Sequence, residues 1–132
     1  MINYKIIDFK VFGGDLGSLV ALEKGENFPF DIKRVYYMWN VPSHARRGFH
    51  AHRTLKQVIV CLSGHCDFIL DNGKEKTSLH LDNPAQGLYL SQPIWREFTN
   101  FSDNCVIMVL ASDYYDENDY IRNYDEFLKF VC

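Results

Sequence analysis

Two histidines one residue apart, His50-Ala51-His52, are the pair in this chain best spaced to do chemistry together. Residues two apart on a β-strand point to the same face, so both imidazoles would converge on one space. Imidazole titrates near neutral pH, so such a pair either takes and returns protons or ligates a metal. The pair ends the run Arg46-Arg47-Gly48-Phe49-His50-Ala51-His52, with Gln57 and Gly64 following. A lone His-X-His is more often a hydrogen-bonded or surface feature of a strand than a catalytic one, so its surroundings must decide. His44, His65 and His80 have no partner at a useful spacing and read as structural or exposed.

To converge, the histidines need a sheet. The 132 residues suit one domain, read as 1–132, and 47% hydrophobic with 23% charged residues describes an ordinary globular chain. An aromatic share of 15% favours a β-rich fold over a helical bundle. Candidate strands are short: 6–12, 18–22, 32–39, 57–62, 66–70, 76–81, 87–90 and 105–111. Breakers part them, with Asp71-Asn72-Gly73-Lys74 the strongest hairpin signal. With a helical period only at 125–131, the class is all-β, an antiparallel sandwich or barrel with a short C-terminal helical segment. The runs Val58–Leu62 and Val106–Leu110 are apolar on both faces, so one face should line the interior and the other meet a second sheet or subunit.

A net charge of −3 leaves no footprint for nucleic acid or an anionic membrane. Cys61, Cys66, Cys105 and Cys132 form neither a CxxC pair nor a disulfide framework, and the first three read as packing thiols. With no leader-like N-terminus and no apolar run near ~18 residues, the expectation is a soluble cytoplasmic protein.

The spacing from His50 and His52 through Gln57 to Gly64 resembles the first metal-binding motif of the cupins, but position 57 is Gln rather than Glu. Where the second motif would supply a further histidine, residue 98 is Phe. Two of four ligands are too few for a stable site, so no metal and no cofactor is expected and the histidines are left to act as bases. Beyond that motif, Ile32–Tyr37, Arg47–His52, Leu55–Val58, Gly87–Tyr89, Trp95–Glu97 and Leu110–Glu117 together resemble the dTDP-4-keto-6-deoxyhexose 3,4-ketoisomerases, over nearly the whole chain. The resemblance implies a small cupin jelly-roll barrel that is dimeric with exchanged N-terminal strands, and Gly13-Gly14 would serve as the hinge. It also implies a dTDP-linked 4-keto-6-deoxyhexose as substrate, isomerised on the way to a 3-amino-3,6-dideoxyhexose.

That chemistry moves a carbonyl from C4 to C3 through an enediol and needs bases, donors and fixed cations. By resemblance His50 is the carbon-proton shuttle, and His52 serves the oxygen side or orientation. Tyr37 and Arg96 are the candidate donors to the enolate oxygen. Arg34 and Arg47 are assigned to the pyrophosphate, with Arg53 and Lys56 as weaker contacts, and Gln57 to a hydrogen bond within the site. Tyr36 and Tyr37 alternate, so only one can face the pocket. Leu16 and Arg96 depart from the pattern of some members at positions near the sugar, and Arg96 inclines the expected product to the gluco configuration. The competing readings are a 3,5-epimerase, a metal-dependent cupin oxygenase and a non-catalytic sugar-binding module.

Overall fold

The alternation of apolar residues along two central strands determines which surfaces must be covered. In β6 (Gln57–Ser63), Ile59 and Cys61 face one way and Val58 and Val60 the other. In β11 (Val106–Ala111), Ile107 and Val109 face the first way and Leu110 the second. In the computed structural model, which describes residues 1–132, the inward set meets Phe68, Leu70 and Phe98 of an opposing sheet in the main core.

The remaining strands are β1 (Lys5–Asp8), β2 (Phe12–Gly14), β3 (Gly17–Leu19), β4 (Arg34–Met38), β5 (Arg47–His52), β7 (Cys66–Asp71), β8 (Lys76–Leu81), β9 (Gln86–Leu90), β10 (Trp95–Thr99) and β12 (Tyr120–Ile121). One sheet has the order β1-β9-β6-β11-β4, the other β12-β5-β10-β7-β8, and β2-β3 form a separate hairpin. Every ladder between these strands is antiparallel. From β4 to β7, and again from β9 to β12, successive strands cross from one sheet to the other. This is the antiparallel jelly roll expected, except that the two sheets remain open at their edges rather than closing into a barrel.

The expected C-terminal helix is α1 (Tyr124–Val131). Asn123 caps it, its side chain accepting from the Glu126 N–H at 3.0 Å, and Asp125 and Glu126 in the first turn suit the helix dipole. Phe127 anchors it beside Trp95, Ala51 and Ile121 on the outer face of the second sheet. The expected 66–70 and 76–81 hairpin is present. Its connection holds Gly73 at φ 93°, while the Asn72 side chain accepts from the N–H groups of Lys74 and Glu75.

Three expectations are corrected. The second apolar face of β6 and β11 is covered neither by another sheet nor by a subunit, but by Phe9, Phe28 and Phe30 of the chain's own N-terminal third. The single strand expected over 6–12 is split into β1, which pairs with β9, and β2, which carries Gly13-Gly14 in the hairpin. Trp95–Thr99 is a strand that the hydrophobic pattern hides, because Arg96 is buried in the middle of it.

The approach to the histidines is irregular. Where β5 pairs with β10, the register slips between Arg96 and Glu97, so that Phe49 is an extra residue opposite no partner. Gly48 (φ 92°) and Phe49 (φ 56°) both take the left-handed conformation that a bulge demands. A Cβ on Gly48 would sit 2.8 Å from the Arg96 carbonyl oxygen. Gly48→Ala is therefore expected to lower stability by about 2 kcal/mol or more and Tm by roughly 5–15 °C, and to reduce activity by moving His50. Thermal melts check this against Gly14→Ala, where nothing lies within 4 Å of the added carbon and Tm should hold.

Candidate active site

The bulge delivers β5 to the interior in a fixed phase. His50 and His52 share the inner face, while Ala51 between them packs outward against the helix side. The two rings meet edge to face with centroids 5.0 Å apart. The Tyr120 ring completes a trio, 5.1 Å from His50 and 4.4 Å from His52.

Asp119 orients His52. Its Oδ2 accepts from Nδ1 of His52 at 2.9 Å, and its Oδ1 accepts from the backbone N–H and hydroxyl of Thr54 at 2.8 and 2.9 Å. Burial works against the Asp119 carboxylate, but these donors hold its pKa below the ordinary value. A carboxylate at Nδ1 places the ring proton there, which leaves Nε2 with its lone pair. That Nε2 is buried and has no hydrogen-bond partner in the chain. His52 is thus fixed as a neutral base with one open nitrogen.

Alongside the pair, opposite His50 across the β5–β10 ladder, lies Arg96, only 2% exposed. Its Nε and Nη2 donate to the Ile94 carbonyl at 3.2 and 3.1 Å, and its Nη1 donates to Oε1 of Gln57. Gln57 in turn donates through Nε2 to the Tyr36 hydroxyl at 3.1 Å. No carboxylate forms an ion pair with this guanidinium, and its burial draws its pKa down to about 10, so it stays charged. Both imidazoles respond to that charge. Burial first, and Arg96 second, lower the pKa of His50 to about 4. The same causes, with His50 added and Asp119 opposing, hold His52 well below its ordinary value.

Arg34 is placed differently. Its guanidinium lies between the rings of Tyr36 (5.2 Å) and Tyr115 (5.5 Å), and its Nε is buried without a partner. The neighbouring acids are engaged elsewhere: Asp113 with the Tyr114 N–H, Asp116 with the Asn118 N–H, Glu117 with Arg122 and Asp119 with His52. Arg34 is therefore a held cation without a counter-ion, beside a narrow cleft that includes His52, Asp119 and Tyr120.

The expected site residues sort as follows. His50, His52, Gln57, Arg34 and Arg96 come together. Arg96 is buried beside His50 rather than exposed in the site, with its donors committed to Ile94 and Gln57. Tyr37 is misplaced by one residue: strand parity turns it outward, 62% exposed beside Trp39, and Tyr36 takes the inner position. Arg53 is structural, tying the Asn118 and Tyr120 carbonyls at 3.2 and 2.8 Å. Arg47 and Lys56 are exposed and outside the buried cluster. Asp119 and Tyr120 were not among the expected residues. They lie nearly seventy positions from the histidines in the acidic stretch 113–120, which by composition is a solvated turn and which only the family resemblance implicates in shaping the pocket or the dimer; the pairing of β12 with β5 brings them in.

The donor set does not suit a cupin metal centre. His52 Nδ1 and Gln57 Oε1 are already engaged, Phe98 is stacked on Phe68 in the core, and a buried guanidinium adjoins the histidines. The site instead offers two neutral imidazoles over a fixed positive charge, an arrangement for moving protons on a substrate that passes through an anion.

Comparison with known proteins agrees in kind. Residues 2–132 match the family model FdtA, described as WxcM-like, C-terminal. The chain is 54% identical over 128 residues to a TDP-4-oxo-6-deoxy-alpha-D-glucose-3,4-oxoisomerase of Aneurinibacillus thermoaerophilus, covering 97% of this chain and 92% of that one. A variant 3,4-ketoisomerase of Thermoanaerobacterium thermosaccharolyticum in complex with TDP-4-keto-6-deoxyglucose superposes with a TM-score of 0.97 at 41% identity, over 99% and 95% of the two chains. A 3,4-ketoisomerase of Helicobacter canadensis gives 0.96 at 44% identity, over 99% and 98%. An epimerase of Mycobacterium tuberculosis shares the fold alone, at 18% identity and a TM-score of 0.74, over 89% and 66%.

Because burial and Arg96 disfavour the imidazolium, His50 stays neutral as pH falls past the usual histidine range and protonates only near pH 4. Steady-state kcat/KM should therefore stay flat from about pH 7.5 down to about pH 5, whereas an exposed imidazole base would lose half its activity near pH 6.5.

Proposed function

The chain belongs to the FdtA family, and from that premise we infer that it is a 3,4-ketoisomerase converting TDP-4-keto-6-deoxyglucose to the 3-keto-6-deoxyhexose that a deoxy-amino-sugar route would aminate. The observation that carries this reading is the pair of neutral imidazoles on one strand face, one of them with a buried, unpartnered nitrogen, set over a permanent cation. A base must be neutral to take a proton from carbon, and the cation must be permanent to favour the enediolate. Both conditions hold without a metal.

The proton balance closes within the site. His50 removes the C3 proton, the electrons form the enediolate across C3 and C4, and a proton returns to C4. His52, oriented by Asp119, serves the hydroxyl proton that passes between O3 and O4. Arg34 receives the pyrophosphate: its guanidinium is pre-positioned between two rings and lacks a counter-ion. Epimerisation at C3 and C5 would require a base on the C5 side, a role for which no further imidazole joins the cluster.

The active form is a homodimer. The outer side of β4, an edge strand, carries Val35 and Tyr37, with Trp39 just beyond its end, at 50–62% exposure, and the β2–β3 hairpin exposes Phe12, Leu16 and Leu19. Such an apolar edge, together with a hairpin whose residues are all exposed, fits exchange of that hairpin between two copies. Its place in the cell is the cytoplasm, in keeping with four unpaired cysteines.

Incubation of the substrate in deuterated water, followed by NMR, tests the reaction: deuterium is expected at C3 and C4, and substantial label at C5 would replace this reading with an epimerase. His50→Asn should lower kcat by at least ~10² with TDP affinity retained. Light scattering at micromolar concentration should give twice the 15.5 kDa chain mass.

A further inference from the structure

The isomerisation inferred above creates negative charge on a sugar oxygen, and the chain of hydrogen bonds from Arg96 to Tyr36 shows which neutral group can meet it. An arginine only donates, so the Gln57 oxygen must be the atom that faces Arg96. The same amide then turns its NH2 group toward Tyr36, where the phenolic oxygen accepts. With its oxygen engaged as an acceptor from Gln57, the Tyr36 O–H points its hydrogen elsewhere, and no group of the chain receives it. Burial and the neighbouring Tyr120 raise the Tyr36 pKa, which keeps the phenol protonated. Tyr36 projects from the inner face of β4, with Arg34 on its ring and Gln57 on its hydroxyl, toward Arg96 and the Tyr120 that packs on both histidines.

We propose that Tyr36 is the donor that stabilises the enediolate oxygen, and that Gln57 is a positioning residue that fixes the direction of its O–H. The inference rests on the ketoisomerase reading and adds two roles to it. It also gives a physical reason for glutamine at position 57. A glutamate there would accept from both sides, drawing the Tyr36 hydrogen onto itself and presenting only a lone pair to the substrate. The amide carbonyl that accepts from Arg96 and the amide nitrogen that donates to Tyr36 can be supplied together by Gln and not by Glu.

The test compares Tyr36→Phe, Gln57→Glu and the double variant, in buffer containing a chelator because a carboxylate at 57 would give His50 and His52 a third metal-ligating neighbour. TDP binding and thermal melts accompany the kinetics. Tyr36→Phe is expected to lower kcat by about 10²- to 10³-fold, with KM and TDP affinity within about threefold of the parent. Gln57→Glu is expected to lower kcat by at least ~10-fold, and the double variant to be no worse than Tyr36→Phe alone, since Gln57 acts through the phenol. A Tyr36→Phe enzyme with parental kcat overturns the proposal, as does a double variant that falls by the product of the two single losses. Should Tyr36→Phe fail to fold, Gln57→Glu decides by itself: an unchanged kcat overturns the direction assigned to Tyr36. Failure of the parent enzyme to exchange C3 and C4 protons would count against the ketoisomerase reading instead.

Discussion

A guanidinium buried without a carboxylate is the constraint around which this protein is arranged. Removing a charge from water is costly unless its donors are satisfied, and Arg96 is satisfied by the Ile94 carbonyl and the Gln57 amide alone. Because neither acceptor is charged, the positive field is not cancelled where it arises. It depresses the basicity of both imidazoles and orients the amide that contacts Tyr36. A glutamate at 57 would have neutralised the cation locally and removed both effects. The glutamine at 57, where the cupin motif has glutamate, thus leaves the charge of Arg96 unneutralised inside the site.

The scaffold supports that arrangement by covering it from both sides. The inner surfaces of the two sheets share the main core, and the N-terminal third lays Phe9, Phe28 and Phe30 over the back of β6 and β11. The helix does the same for the second sheet through Phe127. Strands that carry Gln57 and Arg96 are therefore packed on both faces, which restrains the side chains that determine the site. The Asp119 loop is held by the same logic in polar form, with Thr54 fixing one carboxylate oxygen so that the other can hold His52.

Much of this was legible in the residues. The short alternating runs announced an antiparallel all-β fold, the Asn72-Gly73 turn placed a hairpin, and the His-X-His spacing placed two imidazoles on one face. What escaped depends on information that a local pattern lacks. β10 was hidden because burying Arg96 violates the rule that strand interiors are apolar. Tyr36 and Tyr37 were separated only by strand parity, which is set by the register of β4 against β11 and not by either residue's type. The second apolar face reads as covered by a second sheet or a subunit because nothing in a strand says which distant segment will cover it. By composition Asp119 belongs to a solvated acidic turn, and its role beside His52 depends on the pairing of β12 with β5, a contact between residues far apart in the chain.

The fixed tautomer of His52 has a consequence for the cycle as a whole. With Asp119 anionic, Arg96 cationic and both imidazoles neutral, the resting site holds a single protonation state across the neutral range. An isomerisation consumes no proton and releases none. The enzyme therefore enters and leaves each turnover with the same proton inventory and needs no exchange with bulk water to reset. Solvent can trade with the proton held between the two carbons without altering that inventory, so the cycle stays balanced across the whole of that range.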